Sequence, residues 1–118
     1  MSERDYRLFL TDIRDCAHKI LEYVQGKSYD EFLNTPMLID AVIRNLEIIG
    51  EATKHLPEEI KEKFPGMEWK DMAGFRDLAI HQYFVMDYEI IWDIVQNDIP
   101  DLAEKIEAAL DQEPEGSA

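Results

Sequence analysis

The sequence is poor in the features that cross-link a chain or hold it in a membrane. Its 118 residues include one cysteine, Cys16, so no disulfide can form within one chain, which favours a reducing cytoplasm. No apolar run approaches the roughly 18–20 residues that a membrane span requires. Residues 1–5 are charged and are not followed by the apolar segment of a signal peptide. We therefore expect a cytoplasmic protein of one domain that does not engage a membrane.

Basic residues are also scarce. The chain has 12 lysines and arginines against 26 aspartates and glutamates, which gives a formal net charge of −14. Broad, non-specific binding to nucleic acid depends on a surplus of positive charge, so this balance argues against it. A small local site is still compatible with the composition. The commoner reason for such acidity is solubility through solvated helix faces.

Apolar residues recur at the three- and four-residue spacing of amphipathic helices along nearly the whole chain. Because Val, Ile and Thr never alternate with polar residues over four or more positions, no strand is expected. The predicted helices span about residues 3–25, 36–55, 58–64, 68–81 and 87–110, and Pro100 is expected to kink or split the last one. The pattern predicts an all-α, antiparallel bundle of four to five helices over residues 1–110, followed by a flexible polar tail at 111–118.

Local signals mark several helix ends. Gly26 fits the C-cap of the first helix. Ser28 and the glutamate three residues later fit a capping box on a short helical turn. Thr35 followed by Pro36 predicts an N-cap and a first turn, and Asp87 predicts another N-cap.

Two glycines, Gly50 and Gly74, fall inside predicted helices, where each costs roughly 1 kcal/mol relative to alanine. Close approach of two helix backbones would offset that cost. We therefore expect the helices that contain these glycines to cross at the two positions.

Residues 75–84 place an arginine, a histidine and a tyrosine in a mostly apolar run. On a helix, Arg76 and Tyr83 lie within about 20° of each other, on a stripe that also holds Trp69, Met72 and Ile80. An arginine on a buried stripe costs free energy unless it is paired or functional. Arg76 and His81 are about 140° apart, so one straight helix does not present both to one phosphate. Either the helix ends near His81, or two copies meet across a dimer interface.

The same residue types suggest chemistry. Asp77 lies one turn before His81 and could orient its imidazole, which makes His81 a candidate general acid or base. Arg76 is a candidate clamp for a phosphate, because a guanidinium matches two phosphate oxygens at once. The alternative is structural: Arg76 pairs with a buried acid such as Glu51, and His81 is a satisfied core or capping residue. Residue types alone favour that alternative.

The stretch from Arg44 to Ala52 supplies further polar candidates. Asn45 interrupts an apolar stripe, and Glu47 is expected in an ordinary surface ion pair. Glu51 adjoins the expected crossing, so we expect it to face Arg76 as a supporting acid.

The remaining histidines receive ordinary interpretations. His18 is predicted at the surface, and His55 is predicted to stabilise the C-terminal end of its helix. The sequence has no spacing of histidine, cysteine and acidic residues typical of a metal site, and no glycine-rich nucleotide-binding loop after a strand. No metal and no cofactor are expected.

Arg76, His81 and Tyr83 form the pattern R-x4-H-x-Y, which resembles the signature of the HEPN superfamily and specifically of HepT-like ribonuclease toxins. Residues 44–52, Trp69 and residues 92–100 also resemble that family, and the similarity spans about residues 4–110. The resemblance implies an all-α homodimer that brings two motifs into one cleft. It implies metal-independent cleavage of RNA in which a ribose 2′-hydroxyl attacks the adjacent phosphate. His81 would act as acid and base, and Arg76 would stabilise the developing negative charge.

The resemblance also implies a partner, a small nucleotidyltransferase antitoxin that can adenylylate the motif tyrosine, here Tyr83. Position 77 is aspartate where the family often has asparagine, and a carboxylate there would repel phosphate unless His81 or Arg76 neutralised it. Two other functions stay open. One is a non-catalytic, nucleotide-binding or partner subunit of a nucleotidyltransferase complex, which Asp77 and the overall acidity favour. The other is a purely structural helical dimer.

Overall fold

The computed structural model describes the backbone of residues 3–85 and 87–112 and the side chains of residues 6–79 and 87–112. Within these ranges the chain is helical and contains no strand, so the prediction of an all-α fold is confirmed. The elements are α1 (Glu3–Val24), α2 (Tyr29–Leu33), α3 (Pro36–His55), α4 (Glu58–Lys63), α5 (Trp69–Val85), α6 (Tyr88–Asp93), a π-helical turn (Ile94–Asp98) and α7 (Ile99–Gln112).

Helix α3 lies between α1 and α5, and α7 packs against α1. Helix α1 runs antiparallel to both neighbours: Phe9 near its start stacks on His55 at the end of α3, and Arg7 donates to the carbonyl of Leu110 near the end of α7. The core forms between these helices from large, fully buried side chains, among them Leu10, Ile13, Ile20, Phe32, Leu46, Ile49, Met72, Ile91, Ile99 and Ile106. No helix in the described part of the chain is both long and apolar enough to cross a membrane.

The predicted helix ends are mostly confirmed. Gly26 follows α1 with a φ of +73°, the left-handed conformation that glycine adopts without strain. Ser28 and Glu31 form the capping box of α2, and Asp87 accepts from the amide of Ile90 at the start of α6. Thr35 stands at the N-cap of α3, but its hydroxyl donates to the carbonyl of Glu31 at 2.6 Å and does not cap the helix.

The helix that contains Pro100 is interrupted by a π-turn and continues. The amide of Ile99 bonds to the carbonyl of Ile94, five residues back. A proline ring inside an α-helix collides with the carbonyl four residues earlier, and a wider turn immediately before Pro100 relieves that collision. The apolar stripe stays in the core on both sides of the turn. Helix α7 reaches Gln112, two residues into the predicted tail, and the rest of that tail lies outside the described residues.

Helices α3 and α5 approach closely at Gly50. A Cβ atom built on Gly50 would lie 2.5 Å from the backbone nitrogen of Arg76 and 2.8 Å from its Cβ. The expected crossing is therefore confirmed at Gly50. It is wrong at Gly74, where a Cβ atom would meet no atom of the described residues within 4 Å.

The start of α5 is fixed to the short helix before it. The indole nitrogen of Trp69 donates to the carbonyl of Lys61 at 3.0 Å and to that of Phe64 at 3.1 Å. Each carbonyl also accepts a backbone amide, that of Phe64 for Lys61 and that of Met67 for Phe64, so the indole adds a second bond to each and ties α5 to the end of α4.

Candidate functional site

Arg76 lies at the edge of the buried face of α5. Among the described side chains of α5, the buried ones are Met72, Phe75 and Ala79, whose mean direction is about 70° away from Arg76. The expectation that Arg76 sits on a buried stripe is therefore wrong, and 40% of its side chain is exposed. The predicted stripe omits Phe75, whose burial shifts the buried face of α5 away from the arginine.

Glu51 binds Arg76 across the helix crossing. Its Oε2 lies 2.6 Å from the Nε of Arg76, so the predicted proximity of the two side chains is confirmed. Glu51 is 49% exposed, so this is a surface contact and not the buried pair of the structural alternative. A carboxylate on Nε fixes the plane of the guanidinium while the Nη end points elsewhere, which orients the group for a second anion.

The contact belongs to a row along the crossing in which acidic and basic side chains alternate. His55 Nε2 lies 3.3 Å from the other oxygen of Glu51. On the far side of Arg76, Asp77 Oδ1 lies 3.4 Å from Lys54 Nζ and 3.9 Å from Arg76 Nη1. Exposed ion pairs of this kind contribute at most about 1 kcal/mol each to stability, so the row contributes little to folding.

A cavity of about 460 Å³ opens beside Arg76, between α1, α3 and α5. The cavity is lined by one aromatic pair, two guanidiniums, three carboxylates and two apolar side chains. The lining residues are Phe9, Asp12, Arg44, Glu47, Ile48, Glu51, Ala52, His55 and Arg76. Arg44 and Glu47 form the expected surface ion pair. The pKa of Asp12 is raised, chiefly by partial burial and to a lesser extent by the charge of Asp15.

The aromatic pair of this lining is not identified as part of a site from the sequence. The ring of Phe9 stacks on that of His55, with centroids 5.2 Å apart and an interplanar angle of 12°. His55 lies four residues after Glu51, a spacing that places both on one helix face, and this signal was available. Phe9 lies on α1, and the residues around it in the sequence do not predict its contact with His55 on α3.

Asn45, predicted as a supporting residue, does not line this cavity. It is buried, and its side-chain amide donates to the carbonyl of Ala41 one turn earlier at 2.8 Å. The interruption of the apolar stripe is therefore a local hydrogen bond within α3. His18 lies at the surface as predicted, 3.7 Å from Glu107.

The side chains of His81 and Tyr83 lie outside the described residues, and so does the predicted contact between Asp77 and His81. The backbone of α5 is helical through both positions and ends at Val85. The possibility that the helix ends near His81 is therefore wrong. The angle of about 140° between Arg76 and His81 applies to the helix as it stands.

A second cavity, of about 350 Å³, lies between α5 and α7 and is acidic. The pKa of Glu68 is raised because its protonated carboxyl can donate a hydrogen bond to Asp71 and because the charge of Asp71 opposes its ionisation. Burial raises the pKa of Asp98. Lys105 bridges Asp101 and the carbonyl of Gly66 at its rim. Among the described residues, no three histidine, cysteine or acidic side chains converge as metal ligands would.

Comparison with known proteins gives consistent matches. The family described as "Ribonuclease HepT-like" matches residues 13–109. "Putative RNase MJ1380" of Methanocaldococcus jannaschii is 44% identical over 107 residues, which cover 91% of this chain and 98% of the relative. "Putative RNase TTE0752" of Caldanaerobacter subterraneus subsp. tengcongensis is 41% identical over 107 residues, covering 91% of this chain and 96% of the relative. "Probable ribonuclease HepT" of Thermococcus cleftensis is 39% identical over 105 residues, covering 89% and 96%. No solved structure gives a significant match.

Proposed function

The chain belongs to the HepT-like ribonuclease family, and from this premise we propose that it is a metal-independent endoribonuclease. The proposal extends to its setting: a toxin that acts as a homodimer and is held in check by a nucleotidyltransferase antitoxin. The observation that carries it is the position of Arg76, whose guanidinium is oriented by Glu51 at the edge of a cavity large enough for a nucleotide.

The reaction would be an internal transfer at phosphorus. A ribose 2′-hydroxyl attacks the adjacent phosphate, the new 2′-O–P bond forms and the P–O5′ bond breaks. The products are a 2′,3′-cyclic phosphate and a free 5′-hydroxyl, and no water or metal enters the balance. His81 moves the proton from the nucleophile or to the leaving oxygen, and Arg76 stabilises the charge on the non-bridging oxygens.

The charges around Arg76 support this role. Glu51 takes the Nε edge, which favours binding of phosphate oxygens at the Nη end. The carboxylate of Asp77 would repel phosphate unless a nearby positive charge neutralised it. Lys54 lies 3.4 Å from that carboxylate, so a residue not considered from the sequence supplies the neutralising charge.

Formation of a homodimer would allow an Arg76 and a His81 to act on the same phosphate. Since α5 remains helical through position 81, Arg76 and His81 of one chain point about 140° apart. Two copies of α5 meeting at an interface could place Arg76 of one copy and His81 of the other in one cleft.

RNA cleavage should persist in excess EDTA and should leave 2′,3′-cyclic phosphate ends. An imidazole and a guanidinium suffice for attack by the 2′-hydroxyl. The measurement is cleavage of a labelled oligoribonucleotide, with end groups assigned by mass spectrometry. DNA and an oligonucleotide that is 2′-deoxy at the cleaved position serve as controls, and both should be inert because they lack the nucleophile. Cleavage of DNA, or loss of all activity in EDTA, would overturn the mechanism.

Control by the antitoxin would act through Tyr83. Arg76 and Tyr83 are seven residues apart on α5, so their Cα atoms are roughly 10 Å apart on one face. AMP attached to the phenol oxygen would bring a negative phosphate within reach of Arg76. That phosphate would occupy the guanidinium and repel RNA from the site.

Tyr83→Phe should keep most of the nuclease activity yet escape the antitoxin. The phenol oxygen is the point of modification and takes no part in the proposed proton transfers. The experiment co-expresses each form with the nucleotidyltransferase proposed as its antitoxin and measures growth, RNA integrity and the mass of the peptide that contains Tyr83. An unmodified wild-type peptide from cells in which toxicity is still suppressed would exclude this mode of control.

One observation favours the alternative of a non-catalytic partner subunit. The cavity beside Arg76 holds three carboxylates, from Asp12, Glu47 and Glu51, against the guanidiniums of Arg44 and Arg76. This balance weakens the attraction of an RNA backbone. The two functions differ in a simple test: growth arrest and RNA degradation on expression of the chain alone, both lost in Arg76→Ala or His81→Ala, support the ribonuclease.

A further inference from the structure

The cavity beside Arg76 has an aromatic wall that the proposed reaction does not use. Phe9 and His55 stack nearly parallel, with ring centroids 5.2 Å apart. The imidazole is not enclosed, because 53% of the His55 side chain is exposed and it lines the cavity. Ile48 and Ala52 add apolar surface beside it. Flat rings with apolar neighbours in an open cavity are the usual surface for stacking a nucleobase.

The aromatic wall and the proposed phosphate clamp lie on either side of one side chain, that of Glu51. Glu51 contacts His55 Nε2 at 3.3 Å with one oxygen and Arg76 Nε at 2.6 Å with the other. Two contacts across one carboxylate place these nitrogens within about 8 Å of each other. This is the separation between a base and a phosphate of the same nucleotide. The cavity volume of about 460 Å³ is also sufficient for one nucleotide.

We propose that Phe9 and His55 form a nucleobase subsite that binds one base of single-stranded RNA next to the phosphate held by Arg76. The proposal rests on the proposed function, because it takes the substrate to be RNA. Stacking on aromatic rings tolerates every base, so the subsite selects unpaired nucleotides over paired ones without selecting one base. It also compensates for the weak electrostatic attraction of an acidic protein, since stacking binds RNA without a surplus of positive charge.

The test uses RNA oligonucleotides with one cleavable linkage, all other riboses being 2′-O-methylated. In one substrate the nucleotides are intact, and in two others the base on either side of the cleavable linkage is removed. For the wild-type full-length protein, one of the two abasic substrates should show a KM raised about tenfold with kcat nearly unchanged, in keeping with the loss of one stacked base. His55→Ala should show the same rise with the intact substrate and no further rise with that abasic one.

Two further substitutions separate stacking from the contact with Glu51. His55→Phe retains a ring and loses the imidazole nitrogen, so it should keep the wild-type KM. His55→Gln retains a polar group that can reach Glu51 and loses the ring, so it should behave as His55→Ala. His18→Ala is the matched control, because His18 is also 53% exposed and also faces a glutamate, but on α1 beside α7. It should cleave all three substrates as the wild type does.

The outcomes distinguish this proposal from the proposed function. A fully 2′-O-methylated trinucleotide cannot be cleaved, and its binding can be followed through the imidazole NMR signals of His55, with His18 as the unaffected reference. If the protein cleaves no RNA but the trinucleotide shifts the His55 signals, the subsite stands and the nuclease assignment falls. If the protein cleaves RNA, the subsite is overturned by an unchanged KM in His55→Ala or by a His55→Phe variant as impaired as His55→Ala.

Discussion

Replacing Arg76 with alanine should reduce the kcat/KM for RNA cleavage at least a hundredfold while leaving the protein folded. Removing a positioned group that stabilises transition-state charge typically costs about 10²–10³ in rate. The fold should survive for two reasons. The Cβ atom that packs against Gly50 is retained in alanine, and the contact with Glu51 that is lost is half exposed. The measurements are cleavage of a labelled oligoribonucleotide and thermal unfolding of the same sample.

Arg14→Ala provides the matched control for this substitution. Arg14 is 35% exposed, close to the value for Arg76, and it also contacts carboxylates, those of Asp15 and Glu107. It lies on α1 and does not line the cavity. Full cleavage by Arg14→Ala with little by Arg76→Ala supports the assigned role. Cleavage by Arg76→Ala at the wild-type rate would remove Arg76 from the mechanism.

Replacing Gly50 with alanine should destabilise the fold, although alanine is the better helix former. The new methyl group would lie 2.5 Å from the backbone nitrogen of Arg76, and backbone cannot move aside as a flexible side chain can. Overpacking of this kind costs about 1–3 kcal/mol, which exceeds the gain in helix propensity of roughly 1 kcal/mol. Thermal and urea unfolding should show the loss as a Tm several degrees lower.

Gly74→Ala is the corresponding substitution on α5, and we expect it to stabilise the fold. In the part of the chain that the structure describes, no atom lies within 4 Å of a Cβ atom at this position, so the substitution gains helix propensity of up to about 1 kcal/mol without a clash. A lower Tm for Gly50→Ala and a raised one for Gly74→Ala would together support the crossing. Equal stabilisation by both substitutions would contradict it.

Much of the fold follows from local patterns. The bounds of α3 agree with the prediction because Pro36 starts the helix and Pro57 prevents its continuation, and the caps at Ser28 and Asp87 depend only on neighbouring residues. The expected interruption at Pro100 took the form of a π-turn. The form was not predictable, since it depends on how the core holds the apolar stripe on both sides of the proline.

The site was predictable only in part. A glycine inside a helix beside an acid suggested that Glu51 would meet Arg76, and the structure places them in contact. The stacking of Phe9 on His55 depends on the packing of α1 against α3, which no local pattern determines. The prediction that Arg76 is buried is wrong because the sequence of α5, which mixes apolar and polar residues, does not determine which face of the helix packs against the core. The roles of His81 and Tyr83 stay predictions.

The hydrogen bonds of the Trp69 indole, together with the contact at Gly50, define the axis of α5. Helix α5 is held at Trp69 by the end of α4, and seven residues later, two turns further on, by the close contact with α3. Two points roughly 10 Å apart on a rigid rod determine its direction. The direction in which α5 continues to positions 81 and 83 is therefore determined by two earlier contacts of the helix. These are the hydrogen bonds of the Trp69 indole and the close approach to Gly50. A substitution at Trp69 would redirect the motif without touching any residue that belongs to it.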